Sequence, residues 1–278
     1  MKTFDDESFI LENYRLIPAR KICYCGPFWA CLRIKWLTKS WLLWRTWKDS
    51  SAKNDPPPDF HNERFRIMME VMRVDDCVNT IDDQQVVNSF ERSNRFMKDH
   101  WGNSYKTDLN GSLYFVHNTR DSNEFNFQGY LQNFERVIMK HAGKIEKYRR
   151  NYPRCKTTVF FVSDESNNYV QVSHKEDLTR EDEQNAVLES FIPHYSYRDE
   201  KFLEIIKNCR ADFVIWMFHY KSLTVDGKRL SHPLVCIFDV KHIRKHIRKA
   251  GFSYDHSLMF KVKGGPPKNE VDLRGDEK

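Results

Sequence analysis

A chain of 278 residues, 40% hydrophobic and 14% aromatic, carries enough apolar side chain to bury a sizeable core, which excludes an intrinsically disordered protein. Its 45 basic and 39 acidic side chains leave a net charge of +6; so mild an excess permits a polyanionic partner without requiring one. The 7 cysteines are odd in number and form no CxxC pair, and no signal peptide opens the chain, so they read as reduced thiols of a cytoplasmic protein.

In chain order, residues 1 to 20 read as a polar start with room for a short helix. Cys23 and Cys25 make a CxC whose nearest further ligand is Cys31, a weak zinc set beside the ordinary packing role of a free cysteine. Residues 27 to 49, "PFWACLRIKWLTKSWLLWRTWKD", predict one Trp-rich helix opened by Pro27. Arg33, Lys35, Lys39, Arg45 and Lys48 interrupt it, too many cations for a membrane-spanning helix of about 20 apolar residues. A core helix at the periphery of the domain, its basic stems reaching outward, fits the pattern; a face for a protein partner or an anionic membrane is the other reading.

The prolines of "SSAKNDPPPD" (50 to 59) end that helix in a turn. A strand is expected over 64 to 74, a helix over 82 to 101, a strand over 112 to 118 and a long helix over 126 to 151. In that long helix Tyr130, Phe134, Val137, Ile138 and Ile145 share a face. A buried strand over 157 to 166 follows, and 169 to 172 is expected to pair with it as a hairpin. An acidic excursion (174 to 189), a helix (199 to 209), strands (212 to 220 and 233 to 240) and a basic helix (241 to 251) complete the series. Residues 264 to 278 read as a disordered tail. Strands alternating with helices predict an α/β fold, a central mixed sheet flanked by helices, as one domain over 1 to 263.

Within "RIMMEVMRVDD" the side chains of a strand alternate, so Met68, Glu70, Met72 and Val74 share one face and Ile67, Met69, Val71 and Arg73 the other. Both faces are apolar, as in a covered central strand. Glu70 therefore needs a partner: a cation, a metal ion or a hydrogen-bond network. Arg136 on the long helix is the candidate for an ion pair. Asp75–Asp76 and Asp164–Glu165 end their strands, where acids commonly solvate a turn; the alternative for Asp164–Glu165 is to extend a metal site.

Pro58–Asp59 followed by Glu70–Val71–Met72 resembles the PD-(D/E)xK nuclease superfamily. The order helix, acid-bearing strands, long helix, buried strand agrees with its common core, over roughly residues 28 to 165. The resemblance implies a restriction-endonuclease-like core, with Asp59 and Glu70 as catalytic Mg²⁺ ligands and a nucleic acid, DNA or RNA, as substrate. The family's lysine, two residues after the acid, is Met72 here; Lys98, on the following predicted helix, is the candidate to replace it. "MMEVMRVDD" and "FFVSDES" are also similar to an uncharacterised bacterial protein family, which implies no function.

A second candidate lies in "TVDGKRLSHPLVCIFDVK", where Asp226 precedes Asp239 and Lys241, two apart on a strand face. Asp239 also suits the N-terminus of the basic helix. For phosphate contact the long helix offers Lys140, Lys144, Lys147, Arg149 and Arg150, and the basic helix Arg244, Lys245 and Arg248. His242 and His246 stand four apart, but no HExxH glutamate accompanies them. Gly-rich phosphate loops and a GxSxG elbow are missing from the sequence. The expectation is thus a Mg²⁺-dependent nuclease, or alternatively a binding protein on such a fold.

Overall fold

The computed structural model describes residues 7–50, 56–76, 126–173, 191–219, 222–225, 228–231 and 233–262. The strands are β1 (Ile22–Cys25), β2 (Lys48–Asp49), β3 (Phe60–Asn62), β4 (Ile67–Val74), β5 (Thr157–Asp164), β6 (Asn168–Val172), β7 (Phe191–Pro193), β8 (Phe213–Phe218), β9 (Ser222–Val225), β10 (Lys228–Ser231), β11 (Val235–Asp239) and β12 (Met259–Val262). The helices are α1 (Glu7–Leu16), α2 (Phe28–Lys39), α3 (Trp41–Trp44), α4 (Phe127–Ala142), α5 (Ile145–Asn151), α6 (Glu200–Asn208) and α7 (Ile243–Ala250).

Seven strands form one mixed sheet in the order β1-β11-β8-β5-β4-β3-β2. The centre, β4-β5-β8, is parallel, and here the sequence is apolar on both faces: "FFV" in β5 and "VIWMF" in β8 are fully buried. β3 runs antiparallel to β4 and β2; β11 runs antiparallel to β8 and parallel to β1. The alternation of β4 divides its side chains between two cores. Met68, Met72 and Val74 join Tyr130, Phe134, Ile138, Phe202 and Ile243 beneath α4, α5, α6 and α7. Ile67, Met69 and Val71 join Ile10, Leu11, Tyr14, Ile34 and Leu37 beneath α1 and α2. The α/β class with a mixed, helix-flanked sheet therefore holds.

Local chemistry sets the element ends. Asn126 caps α4, its side-chain oxygen accepting from the Gly129 amide at 2.8 Å. Lys39 donates from Nζ to the Tyr14 carbonyl at 2.8 Å and to that of Arg15, tying α2 to the C-terminus of α1. This lysine turns inward, against the expectation that the basic stems of this segment point out.

Several expected elements differ. The Trp-rich segment is not one helix: Ser40 leaves helical geometry (φ −67°, ψ 123°), separating α2 from α3, and the end of the segment is β2. The long helix divides at Gly143–Lys144 into α4 and α5. Residues 169–172 do not pair with β5. They belong to β6, central in a second, three-stranded sheet β12-β6-β7, because the turn after Asp164 carries the chain out of the large sheet. The expected helix over 82 to 101, the strand over 112 to 118, the acidic excursion and the tail lie outside the described residues.

Candidate active site

Asp59 and Glu70 come from antiparallel neighbours, Asp59 just before β3 and Glu70 in the middle of β4. The turn that carries Asp59 is held on two sides. Ser50 donates its amide to the Asp59 carbonyl at 2.6 Å and its hydroxyl to the Pro58 carbonyl at 2.6 Å. From the end of α5, Asn151 Nδ2 reaches the Pro57 carbonyl at 2.7 Å and the Tyr152 hydroxyl that of Pro56 at 3.0 Å. The Asp59 carboxylate then accepts from the Val71 amide at 2.7 Å.

Glu70 is buried, and its partner is His141 near the end of α4: Nδ1 lies 2.6 Å from Glu70 Oε1. The Tyr148 hydroxyl of α5 stands 3.2 Å from the same ring nitrogen. Glu70 Oε2 is buried with no hydrogen-bond partner. Burial pushes the Asp59 carboxyl up, to about 8, and the Glu70 charge adds to the push against the Val71 hydrogen bond. Burial, followed by Glu70, also raises the Tyr148 phenol, which remains a donor. The four side chains thus combine a carboxyl poised to titrate near neutrality, a second carboxylate with one free oxygen, an imidazole and a phenol.

A stability test follows from the direction of the Asp59 shift. The folded carboxyl holds its proton to about 8, against 3.8 ordinarily, so its contribution is intact below pH 4 and is lost as pH rises toward 8. Asp59→Asn keeps an acceptor for Val71 and removes the ionisation. Its stability should equal wild type near pH 4 and exceed it at pH 8 by about 1–3 kcal/mol, read from urea midpoints at the two pH values.

The other expected site residues fall elsewhere. Arg136 is not Glu70's partner; it is exposed and donates to Asn133 Oδ1 at 3.3 Å. Lys98 and Asp226 lie outside the described residues. Lys241 does not share a strand face with Asp239, because β11 ends at Asp239 and a 3-10 turn, Val240–His242, follows. Asp239 caps that turn, accepting from the Lys241 amide at 3.1 Å, and its other oxygen pairs with His242 Nδ1 at 3.1 Å. Lys140, Lys147, Arg150, Arg244, Lys245 and Arg248 are exposed, while Lys144 and Arg149 are half-buried. Arg149 meets Glu146 at 3.3 Å, a carboxylate it shares with Arg210.

The strand-end acids do not all solvate turns. Asp164 is fully buried and accepts from Tyr130, Trp216 and Ser166. Asp76 is buried and accepts from Tyr169 and Asn167. Asp199, the N-cap of α6, pairs through Oδ2 with His194 at 2.8 Å and His256 at 2.7 Å. Burial raises its carboxyl, but the two histidine hydrogen bonds outweigh it and bring it down to about 2.

At the opposite edge of the large sheet, Cys23, Cys25 and Cys236 place their sulfurs within 4.8 Å of one another, a group able to hold a metal. Cys31, the third ligand suggested by the sequence, is not among them; it lies on the other face, its Sγ 3.5 Å from the Ile237 carbonyl. The sequence signal for Cys236 was only an apolar strand, and for His141 only a place three residues after Ile138 on the apolar stripe. No helix among the described residues is long and apolar enough to cross a membrane. No family model, curated protein or solved structure matches the chain.

Proposed function

We propose that Asp59 and Glu70 form the divalent-metal site of a nuclease-like hydrolase acting on nucleic-acid phosphodiesters. The observation that carries this reading is a pair of carboxylates from adjacent strands, close enough for one charge to raise the other, with Glu70 Oε2 buried and unpartnered. An oxygen-seeking cation fits that deficit, and it offsets both the burial and the Glu70 repulsion that push the Asp59 carboxyl up. The element order lends support: α2, the antiparallel pair β3–β4 bearing the acids, α4, then β5 parallel to β4. We take this partial order, with α3 and β2 intervening, as support for reading the chain on the restriction-endonuclease-like core that the Pro58–Asp59 and Glu70 resemblance implies.

Asp59 and Glu70 would hold Mg²⁺ or Mn²⁺. The ion supplies an activated water and charge stabilisation at phosphorus. His141 fixes the Glu70 carboxylate, and Tyr148 stands beside both as a donor. An imidazole this close makes Mn²⁺ the better probe. Met72 replaces the family's lysine and contributes no charge, which leaves Lys98 as the proposed cation. α4, α5 and α7 cover the same face of the sheet, and we assign Lys140, Lys147, Arg150, Arg244, Lys245 and Arg248 on them to the phosphate backbone.

The test is calorimetric titration of Mn²⁺ and Mg²⁺ into wild type and Glu70→Gln, with cleavage of labelled DNA and RNA in parallel. Binding should be lost in the variant. In wild type it should tighten about tenfold per unit as pH rises toward 8, where the Asp59 proton ceases to compete. Binding unchanged by Glu70→Gln overturns the site. The second reading is a non-catalytic binding protein, favoured by the outer face of α2 and α3, where Trp29, Trp36, Trp41 and Leu42 are exposed. A chain that binds no divalent ion, and in which Glu70→Gln folds normally, moves the function to that face as the site of a protein partner.

A further inference from the structure

The edge of the sheet away from Asp59 and Glu70 gathers three thiols by register alone. β1 and β11 are parallel with Cys23 opposite Cys236, and the two-residue period of β1 puts Cys25 on the same face as Cys23. Their sulfurs lie within 4.8 Å of one another, Cys23 to Cys25 at 3.9 Å. Thiolates at about 2.3 Å from a tetrahedral zinc ion stand about 3.8 Å apart, so this pair is already at the spacing that the ion sets. A disulfide needs about 2.05 Å between sulfurs, and all three cysteines are free. Cys25 and Cys236 are buried and Cys23 is half-buried, which leaves one side of the cluster open for an ion to arrive.

A fourth donor faces the same side. His246 of α7 packs edge-on against Phe238 of β11, ring centroids 5.7 Å apart. Its Nε2 is buried without a hydrogen-bond partner, and its ring is bonded to the Tyr197 backbone and within electrostatic reach of Cys23. A ring nitrogen held by a main-chain carbonyl while the other is left bare is the usual setting of a metal-binding histidine. His246 lies outside the 4.8 Å group, so coordination requires its ring to close on the thiols. His242, one turn earlier, is committed to Asp239.

We propose that Cys23, Cys25, Cys236 and His246 form a zinc site that ties α7 and β11 to the edge strand β1. Three sulfurs and an imidazole select a borderline-soft ion, Zn²⁺, over the hard Mg²⁺ or Ca²⁺. Each thiol that coordinates gives up its proton. With four protein ligands the site is closed, so its role is to join the N-terminal strand to the C-terminal helix. It is independent of the carboxylate site and of any hydrolytic activity.

The experiment is a Co²⁺ titration of full-length protein stripped with a chelator and kept reduced. One Co²⁺ per chain should give the thiolate charge-transfer band and the intense visible bands of tetrahedral cobalt, both abolished by stoichiometric Zn²⁺. Zn²⁺ should also raise the melting temperature. Cys23→Ser and Cys236→Ser should lose the charge-transfer intensity, His246→Ala should weaken Zn²⁺ by at least about tenfold, and Cys31→Ser should behave as wild type. Cys31→Ser controls for general damage from removing a buried thiol, and circular dichroism of each variant confirms folding. The proposal is overturned by absence of the thiolate band in wild type. It is equally overturned by a band that survives Cys236→Ser, or by equal loss in Cys31→Ser.

Discussion

Asp164→Ala is expected to unfold the protein under conditions in which wild type is fully folded. Asp164 ends β5 at 0% exposure and is a hub of donors. Oδ2 accepts from the Tyr130 hydroxyl and from Trp216 Nε1 at 3.0 Å; Oδ1 accepts from the Ser166 amide at 3.0 Å and its hydroxyl at 2.5 Å. Alanine leaves these donors buried among Phe134, Phe202 and Phe218, where water cannot replace the carboxylate. Each orphaned donor costs about 1–3 kcal/mol. Allowing for Tyr130's second bond to Ser196 Oγ at 3.1 Å, the loss is about 4–6 kcal/mol, comparable to the whole stability of many domains. Tyr130→Phe removes one donor from a carboxylate that keeps the rest, and should cost about 1.5–3 kcal/mol. Asp164→Asn should fall between, since its amide group faces donors. Urea midpoints should rank wild type, Tyr130→Phe, Asp164→Asn, Asp164→Ala. A stable Asp164→Ala would instead mark Asp164 as a ligand held at the expense of stability.

What could be read from the sequence follows from how local the cause was. β4, β5 and β8 were legible because a central parallel strand must be apolar on both faces, and "IMMEVM", "VFFV" and "VIWMF" are. The need of Glu70 for a partner was legible for the same reason. Which partner was not, because it depends on the angular phase of α4: the stripe Phe134–Ile138–Ala142 faces the sheet, turning Arg136 outward and bringing His141 over β4. Both helix breaks fall on residues that favour helix ends, Ser40 before α3 and Gly143 after α4, but a single Ser or Gly within an apolar stripe is also tolerated inside a helix, so the stripe masked the signal. The β6 pairing and the Cys23–Cys236 neighbourhood are contacts distant in sequence, and periodicity carries no information about which edge a strand joins. Asp164 and Asp76 looked like solvated turn acids, since only the fold brings Tyr130, Trp216 and Tyr169 to meet them.

The sign of the Glu70→Gln stability change separates a carboxylate kept for a cation from one kept for its ion pair. Glutamine preserves the shape and an oxygen that can accept from His141 Nδ1, now 2.6 Å from Oε1. It also removes the charge that helps push Asp59 up to about 8. If the cluster exists to hold a divalent ion, the two acids are mutually destabilising without it. Glu70→Gln should then stabilise the metal-free protein by about 1–2 kcal/mol at pH 8, with little effect at pH 4. His141→Ala should do the opposite, costing about 3–5 kcal/mol, because it strips the buried carboxylate of its partner while leaving the charge. Saturating Mn²⁺, at about 100 times its Kd, should then stabilise wild type by about 2.7 kcal/mol and leave Glu70→Gln unmoved. A structural ion pair reverses the first sign: Glu70→Gln would lose stability alongside His141→Ala, and Mn²⁺ would shift neither. Measured together by urea unfolding at pH 4 and pH 8, with and without Mn²⁺, the two variants give opposite signs under one account and the same sign under the other.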